Sequence, residues 1–251
     1  MDTWVLVAGI VVGLLYGIFG VGSAVATPVL SLLGVPGLAA VVAPLPALLP
    51  SSIAGAWSYA RHDNVDRRLA GRIIAAALPA AVVGALLSHR VDGRVLLALS
   101  GLALLFVGLR VLGTGGTAVD AERAARRRAD PRFVCGAAIV VGFLSGLLAN
   151  GGGFLLVPLF LVLLGLEPHR ATGTSLLIAA TLTVPTLATH IVLGDIDWTT
   201  AGLLAAGLVP GALLGGLVGQ RFPARRHAAA FGLFLVAFAT WYLLRLTLHL
   251  T

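Results

Sequence analysis

Apolar residues fill this chain in blocks, and charged residues mark the gaps between them. Eight blocks can be drawn, at residues 3–34, 38–60, 69–88, 95–112, 133–165, 171–193, 199–219 and 228–248. Charges gather at 61–68, 89–94, 120–132, 167–170, 195–197 and 221–227. Most blocks approach or exceed the roughly 20 residues a helix needs to cross a bilayer. The pattern predicts an all-α polytopic membrane protein with helices where the blocks lie. Each half runs long, medium, medium, medium.

The halves also repeat in detail. Val12-Gly13-Leu14-Leu15-Tyr16-Gly17-Ile18-Phe19-Gly20-Val21-Gly22-Ser23 leads to Pro28, and Val141-Gly142-Phe143-Leu144-Ser145-Gly146-Leu147-Leu148-Ala149-Asn150-Gly151-Gly152-Gly153 leads to Pro158. Downstream, Pro79 falls opposite Pro210, Gly84 opposite Gly215 and Arg90 opposite Arg221. Matches in one order at an offset of about 130 residues indicate an internal repeat. The domains read as a first transmembrane repeat at 1–112, a cytoplasmic linker loop at 113–132, and a second transmembrane repeat at 133–251.

Composition strengthens the membrane reading. The 251 residues are 59% hydrophobic and 11% charged, with a mean hydropathy of +1.02, whereas a soluble domain carries about 25% charged residues. A net charge of +7 fits arginine-rich loops held in the cytoplasm, and nucleic acid is not an expected partner. The single cysteine, Cys135, leaves no intramolecular disulfide and reads as a small packing residue. The start, Met1-Asp2-Thr3-Trp4, lacks the basic region of a cleavable signal, so the first apolar segment is expected to stay.

Charge also bears on topology. If each long block crosses once, there are eight spans and Arg221, Arg225 and Arg226 lie outside, against the positive-inside rule. If each long block is a hairpin bent at its glycines, its arms are about 17 and 11 residues, or about 25 and 16 Å long. The arginines at 61–68, 123–132, 170 and 221–226 then all fall inside. The hairpin count leaves an odd number of full crossings per half and makes the halves inverted repeats. Each half would then be a glycine-broken helical hairpin plus three transmembrane helices.

The breaks are the candidate site. In hydrocarbon an interrupted helix is tolerated only inside protein or beside a polar cavity, and paired broken segments point to a transporter's binding site. Gly20, Gly22, Gly151, Gly152 and Gly153 allow the turn and the close approach of a ligand. The helices restarting near Ala24 and Phe154 offer unpaired N–H groups and a positive dipole end, which suit an anion. Ser23, Thr27 and Asn150 could add donors. Ala171-Thr172-Gly173-Thr174-Ser175 either caps a helix or faces the same cavity, and Thr174 and Ser175 are its substrate-binding candidates. Gly13, Gly17, Gly142 and Gly146 are assigned to helix packing, and the prolines within the blocks to kinks. His190 is the one histidine placed deep in a block. No catalytic or metal-binding set appears, no carboxylate falls within a block, and no cofactor is expected.

These motifs resemble the sulfite exporter TauE/SafE family. The resemblance rests on the two glycine breaks followed by proline, on Ala171-Thr172-Gly173-Thr174-Ser175-Leu176, on Gly194-Asp195-Ile196-Asp197-Trp198, and on Leu208-Val209-Pro210-Gly211 with Gly215. It covers roughly residues 5 to 245. Gly22-Ser23-Ala24 stands where that pattern has three glycines, so the copies are unequal. The resemblance implies a secondary transporter of the cytoplasmic membrane that moves a small anion such as sulfite, a sulfonate or a related sulfur-containing or carboxylated compound. The coupling ion, proton or sodium, is left open, and the bilayer is the surrounding medium. A membrane-embedded accessory subunit, or a channel-like permease for another solute, is the alternative. No oligomeric state is implied.

Overall fold

The computed structural model describes residues 2–35, 37–88, 90–113, 118–149, 153–221 and 224–248. Among them every regular element is helical. The first half contains α1 (Asp2–Phe19), α2 (Gly22–Leu32), α3 (Gly37–Val42), α4 (Leu45–Ala60), α5 (Arg67–Ser88) and α6 (Gly93–Gly113). The linker carries α7 (Ala118–Ala129). The second half contains α8 (Pro131–Leu147), α9 (Gly153–Pro158) with a π-helical turn at Leu159–Leu163, α10 (Pro168–Leu193), α11 (Trp198–Gly219) and α12 (Ala224–Leu248).

Among the described residues, four helices are long and apolar enough to cross a bilayer: Leu38–Ala60, which joins α3 and α4, then Arg67–Ser88, Pro168–Leu193 and Trp198–Gly219. A fifth is reached if Glu122–Ala129 and Pro131–Leu147, bent by 84°, count as one span. The chain is therefore a multi-pass helical membrane protein.

Both long blocks break where the glycines lie. α1 ends at Phe19 and α2 begins at Gly22, and α8 ends at Leu147 with α9 beginning at Gly153. The linker differs from the expected loop. Its Asp120, Glu122 and arginines lie on a two-faced helix, α7, with Arg126 paired to Glu122 at 2.9 Å. Asp130 then caps α8 by accepting the Arg132 N–H at 2.9 Å. Cys135 is exposed because α8 buries Val134, Ala138, Val141, Gly142 and Ser145. One residue past Val134 is a rotation of about 100°, which carries Cys135 off that stripe.

Packing is reciprocal between the halves. The first helix of each half lies against the third full helix of the other. A β-carbon on Gly9, Gly13 or Gly17 of α1 would strike backbone of Leu204, Leu208 and Ala212 on α11, in that order. One on Gly142 or Gly146 of α8 would strike the carbonyl oxygens of Ala77 and Ala81 on α5. Numbers rise together in both pairs, so each pair runs in one direction. α6 and α12 pair in the opposite sense, with Gly101 against Tyr242 and Leu243 and Gly108 against Leu235 and Val236. The glycines assigned to packing are the contact points of this arrangement, because only their absence of a side chain lets the backbones approach so closely.

Two helix starts show the local chemistry. Asp66 caps α5, its Oδ1 accepting the Leu69 N–H at 3.0 Å. Asp197 caps α11, accepting Thr199 N–H at 3.0 Å and the Thr200 hydroxyl at 2.6 Å. The Thr200 hydroxyl holds the Asp197 carboxyl below its ordinary value; burial opposes it, and the Thr200 and Thr199 N–H groups add smaller lowering effects. A folded-state value below the unfolded one contributes stability above the unfolded pKa, near 4, that is lost as pH falls through the lowered value. Asp197→Ala is expected to cost about 1 kcal/mol at pH 7. In detergent-solubilised protein the difference from wild type should shrink below about pH 4; an unchanged melting temperature at pH 7 would refute the cap's contribution.

Candidate functional site

The first break is a chain reversal. Gly20 has φ +74, a left-handed conformation that glycine adopts at no steric cost. Its N–H closes the last turn of α1 on the Tyr16 carbonyl at 2.8 Å. A β-carbon on Gly22 would lie 2.6 Å from the Val12 carbonyl oxygen and overlap Tyr16. Ten residues of straight helix would separate positions 12 and 22 by about 15 Å, so the chain folds back on α1. Gly22 permits that return by close approach.

The reversal meets the other half of the protein. A β-carbon on Gly20 would lie 2.9 Å from Ser175 Oγ, 3.1 Å from Val157 Cγ2 and 3.3 Å from Thr172 Cγ2. Gly20 and Ser175, far apart in sequence, are thereby neighbours, with α9 supplying the third wall. Ser175 donates to the Thr172 carbonyl at 2.8 Å. Thr172 is fully buried, and its Oγ1 has no hydrogen-bond partner among the described residues. Ser145 Oγ on α8 is in the same condition. A buried hydroxyl without a partner costs about 1–3 kcal/mol; Thr172 presents its Cγ2 methyl to Gly20, and the Oγ1 of the same side chain is left without a partner among the described residues.

Other candidate residues take different positions. Thr174 Oγ1 accepts the Asp66 N–H at 2.9 Å, joining α10 to the start of α5. Thr27 is buried in α2 at 2% exposure. Gly22, Ser23 and Ala24 form the first turn of α2, where Val21 supplies no side-chain cap and no acidic residue is present; the Ser23 side chain lies outside the described set. Gly153 opens α9. Asn150, Gly151 and Gly152 lie outside the described residues.

The depth of the turn is set by α10. Thr172 and Ser175 are about 6 and 10 Å along that helix from Pro168. The Gly20 turn therefore lies in the first third of α10, toward the Arg170 end, and not at its middle. Above it sits the α4–α5 turn: a β-carbon on Gly173 would strike the Asn64 carbonyl oxygen, and the Asp66–Thr174 bond lies alongside. Tyr59, from the same end of α4, donates to the Ile18 carbonyl at 3.0 Å and the Gly17 carbonyl at 3.2 Å. Tyr16 and Ser52 are hydrogen-bonded at 2.7 Å. Tyrosine and serine on α1 and α4 gave no periodic signal in the sequence; only the helix pairing places them beside the break.

At the opposite end of α10 a contact appears that residue spacing does not reveal. His190 is fully buried, with Nδ1 2.9 Å from Asp195 Oδ2 and Nε2 3.5 Å from Ser88 Oγ. The order Ser, His, Asp is that of a hydrolytic triad, but the chemistry differs. Ser88 donates to the Ala85 carbonyl at 2.7 Å and is itself buried, so its oxygen is neither activated by His190 nor open to a substrate. The group ties the end of α5 to the end of α10.

The sulfite exporter TauE/SafE family model matches residues 5–242. A probable membrane transporter protein of Xylella fastidiosa (strain 9a5c) is 33% identical over 167 residues, which are 66% of this chain and 64% of that one. The chain thus spans just under two thirds of that relative's length. The probable membrane transporter protein YjnA of Bacillus subtilis (strain 168) is 24% identical over 242 residues, 90% of this chain and 93% of its own. YunE of the same organism is 40% identical over 82 residues, 33% of this chain and 29% of its own. No solved structure matches.

Proposed function

The chain belongs to the sulfite exporter TauE/SafE family, and from that premise we propose that it is a secondary transporter of a small anion in the cytoplasmic membrane. Sulfite, a sulfonate or a related sulfur-containing or carboxylated compound is the substrate class, and alternating access is the mechanism. The observation that carries this reading is the Gly20 turn placed against Thr172 and Ser175, with the Thr172 hydroxyl unpartnered among the described residues. The uncapped first turn of α2 points a positive helix end at the same break. Asn150, Gly151, Gly152 and Gly153 would supply the second half of the site.

Inverted halves are part of the proposal. Counting eight single spans places residues 61–68 and Arg170 on opposite membrane faces, yet Asn64 packs on Gly173 and Asp66 binds Thr174. Two hairpins put both segments on one face, which supports that count. Arg90 and Arg225 should then lie on opposite faces. In a background with the exposed Cys135 replaced by serine, a membrane-impermeant thiol reagent should label Arg90→Cys and Arg225→Cys from opposite sides. Labelling of both from the same side rules inversion out.

Transport itself is tested in proteoliposomes with sulfite, thiosulfate, sulfonates and carboxylates under an imposed gradient. Flux of at least one of these anions is expected. If none moves, the transporter reading fails.

A further inference from the structure

Three arginines at the α4–α5 turn are placed against the local electrostatics. Arg67 and Arg68 occupy the first turn of α5, and Arg170 the first turn of α10. Those are the positive ends of two long helices, where cations are disfavoured and anions favoured. The arginines line one cavity of about 710 Å³ together with Asp63, Asp66, Ala60 and Val65. Asp66 is occupied as the cap of α5. None of the three arginines forms an ion pair within 4 Å among the described residues. Both carboxylates keep their charge, so the lining sets three guanidinium groups against two carboxylates.

The positive-inside rule accounts for arginines on this face of the membrane, but not for three of them converging on one cavity at two helix starts. A bound anion does account for it. Guanidinium groups match an oxyanion with two parallel N–H donors each, and the two helix ends add to the same potential. Val65 and Asp66 of the α4–α5 turn line the cavity, and the same turn meets Gly173 through Asn64 and Thr174 through Asp66.

We propose that this cavity is the cytoplasmic vestibule of the transporter, in which Arg67, Arg68 and Arg170 capture a small oxyanion before it passes the α4–α5 turn to the Gly20 break. The proposal rests on the transport reading above and names the group that gives it access to substrate. The ligand chemistry is a compact oxyanion, and a free anion and a lipid phosphate share it. The vestibule is committed to the free anion, because its wall includes Asp66, whose N–H binds Thr174 on the helix that carries Thr172.

The test uses Arg67→Gln, Arg68→Gln, Arg170→Gln and the triple variant, in full-length protein. All three side chains are exposed, so each variant should elute as folded protein, and the single variants carry the test if the triple one does not. For sulfite uptake from the cytoplasmic face of inverted vesicles, each single change should raise the half-saturation concentration about tenfold, with maximal rate unchanged. Uptake from the opposite face should not change. Raising ionic strength should weaken wild-type capture and leave the triple variant nearly flat. Equal half-saturation for wild type and the variants on the arginine face overturns the vestibule while leaving the transport reading intact.

Equilibrium binding of labelled sulfite to detergent-solubilised protein keeps the two readings separable. Weaker binding in the Gln variants supports the vestibule even if no flux is found. Unchanged sulfite affinity, with loss of co-purified phosphatidylglycerol by native mass spectrometry, assigns the cavity to a lipid headgroup and overturns the proposal.

Discussion

Gly20→Val is expected to abolish anion flux while the protein still folds and inserts. Two costs fall on the same residue. At φ +74 a β-branched side chain meets the backbone clash that makes left-handed geometry cost about 1–2 kcal/mol or more. Its β-carbon also arrives 2.9 Å from Ser175 Oγ and 3.3 Å from Thr172 Cγ2. These neighbours are side-chain atoms and can yield, so the bundle survives. What they yield is the arrangement of hydroxyls at the break. A combined loss near 3 kcal/mol in substrate positioning corresponds to a flux reduction of about a hundredfold. Gly20→Ala, with the smaller side chain, should retain intermediate activity. Wild-type flux in proteoliposomes of Gly20→Val, at matched protein content, would remove Gly20 from the site.

Gly146→Leu has the larger effect on the fold. A β-carbon there overlaps the Ala81 carbonyl oxygen and lies 2.8 Å from Ala81 C and Ala85 N. All three are backbone atoms of α5, and they cannot turn aside as a side chain can. α8 and α5 must separate, at a cost of about 3 kcal/mol or more. The expected readout is loss of monodisperse protein in detergent. Gly17→Leu should do the same at the reciprocal contact, where the nearest atoms are backbone of Ala212, Gly215 and Gly216. Gly136 on the same helix is the control, because nothing lies within 4 Å of its β-carbon position. Gly136→Ala should gain up to about 1 kcal/mol from helix propensity. If Gly146→Leu were as stable as Gly136→Ala, the α5–α8 contact would not hold the bundle.

Much of this architecture was legible in the chain. Apolar blocks located the helices because an element in hydrocarbon must satisfy its backbone internally and hide its charges at the ends. Phe19-Gly20-Val21-Gly22 located the first break because glycine is the residue that can reverse a helix in so few steps. The spacing of Gly13 and Gly17, and of Gly142 and Gly146, marked contact faces, since four residues return to the same side of a helix. Asp130 and Asp197 stood in the sequence only among the charges between blocks; the structure made them helix caps. α7 was not: its charges read as a loop because a helix lying outside the apolar blocks leaves no long hydrophobic run. Cys135 was misplaced for a related reason, since apolar surroundings in sequence do not say which side of α8 meets neighbouring helices.

Sequence by itself determined that this is a membrane-spanning helical protein whose long apolar segments are interrupted at glycine, because solvent cost and backbone freedom are local properties of residues. Only the tertiary structure decided which surfaces meet. It put α1 on α11 and α8 on α5, Gly20 beside Thr172 and Ser175, Thr174 on Asp66, His190 between Ser88 and Asp195, and three arginines around one cavity. Those pairings join residues up to more than a hundred positions apart, and their energy arises from complementary shape and hydrogen bonding that no single segment carries. The partner of a glycine face or a buried hydroxyl is chosen by the packed bundle.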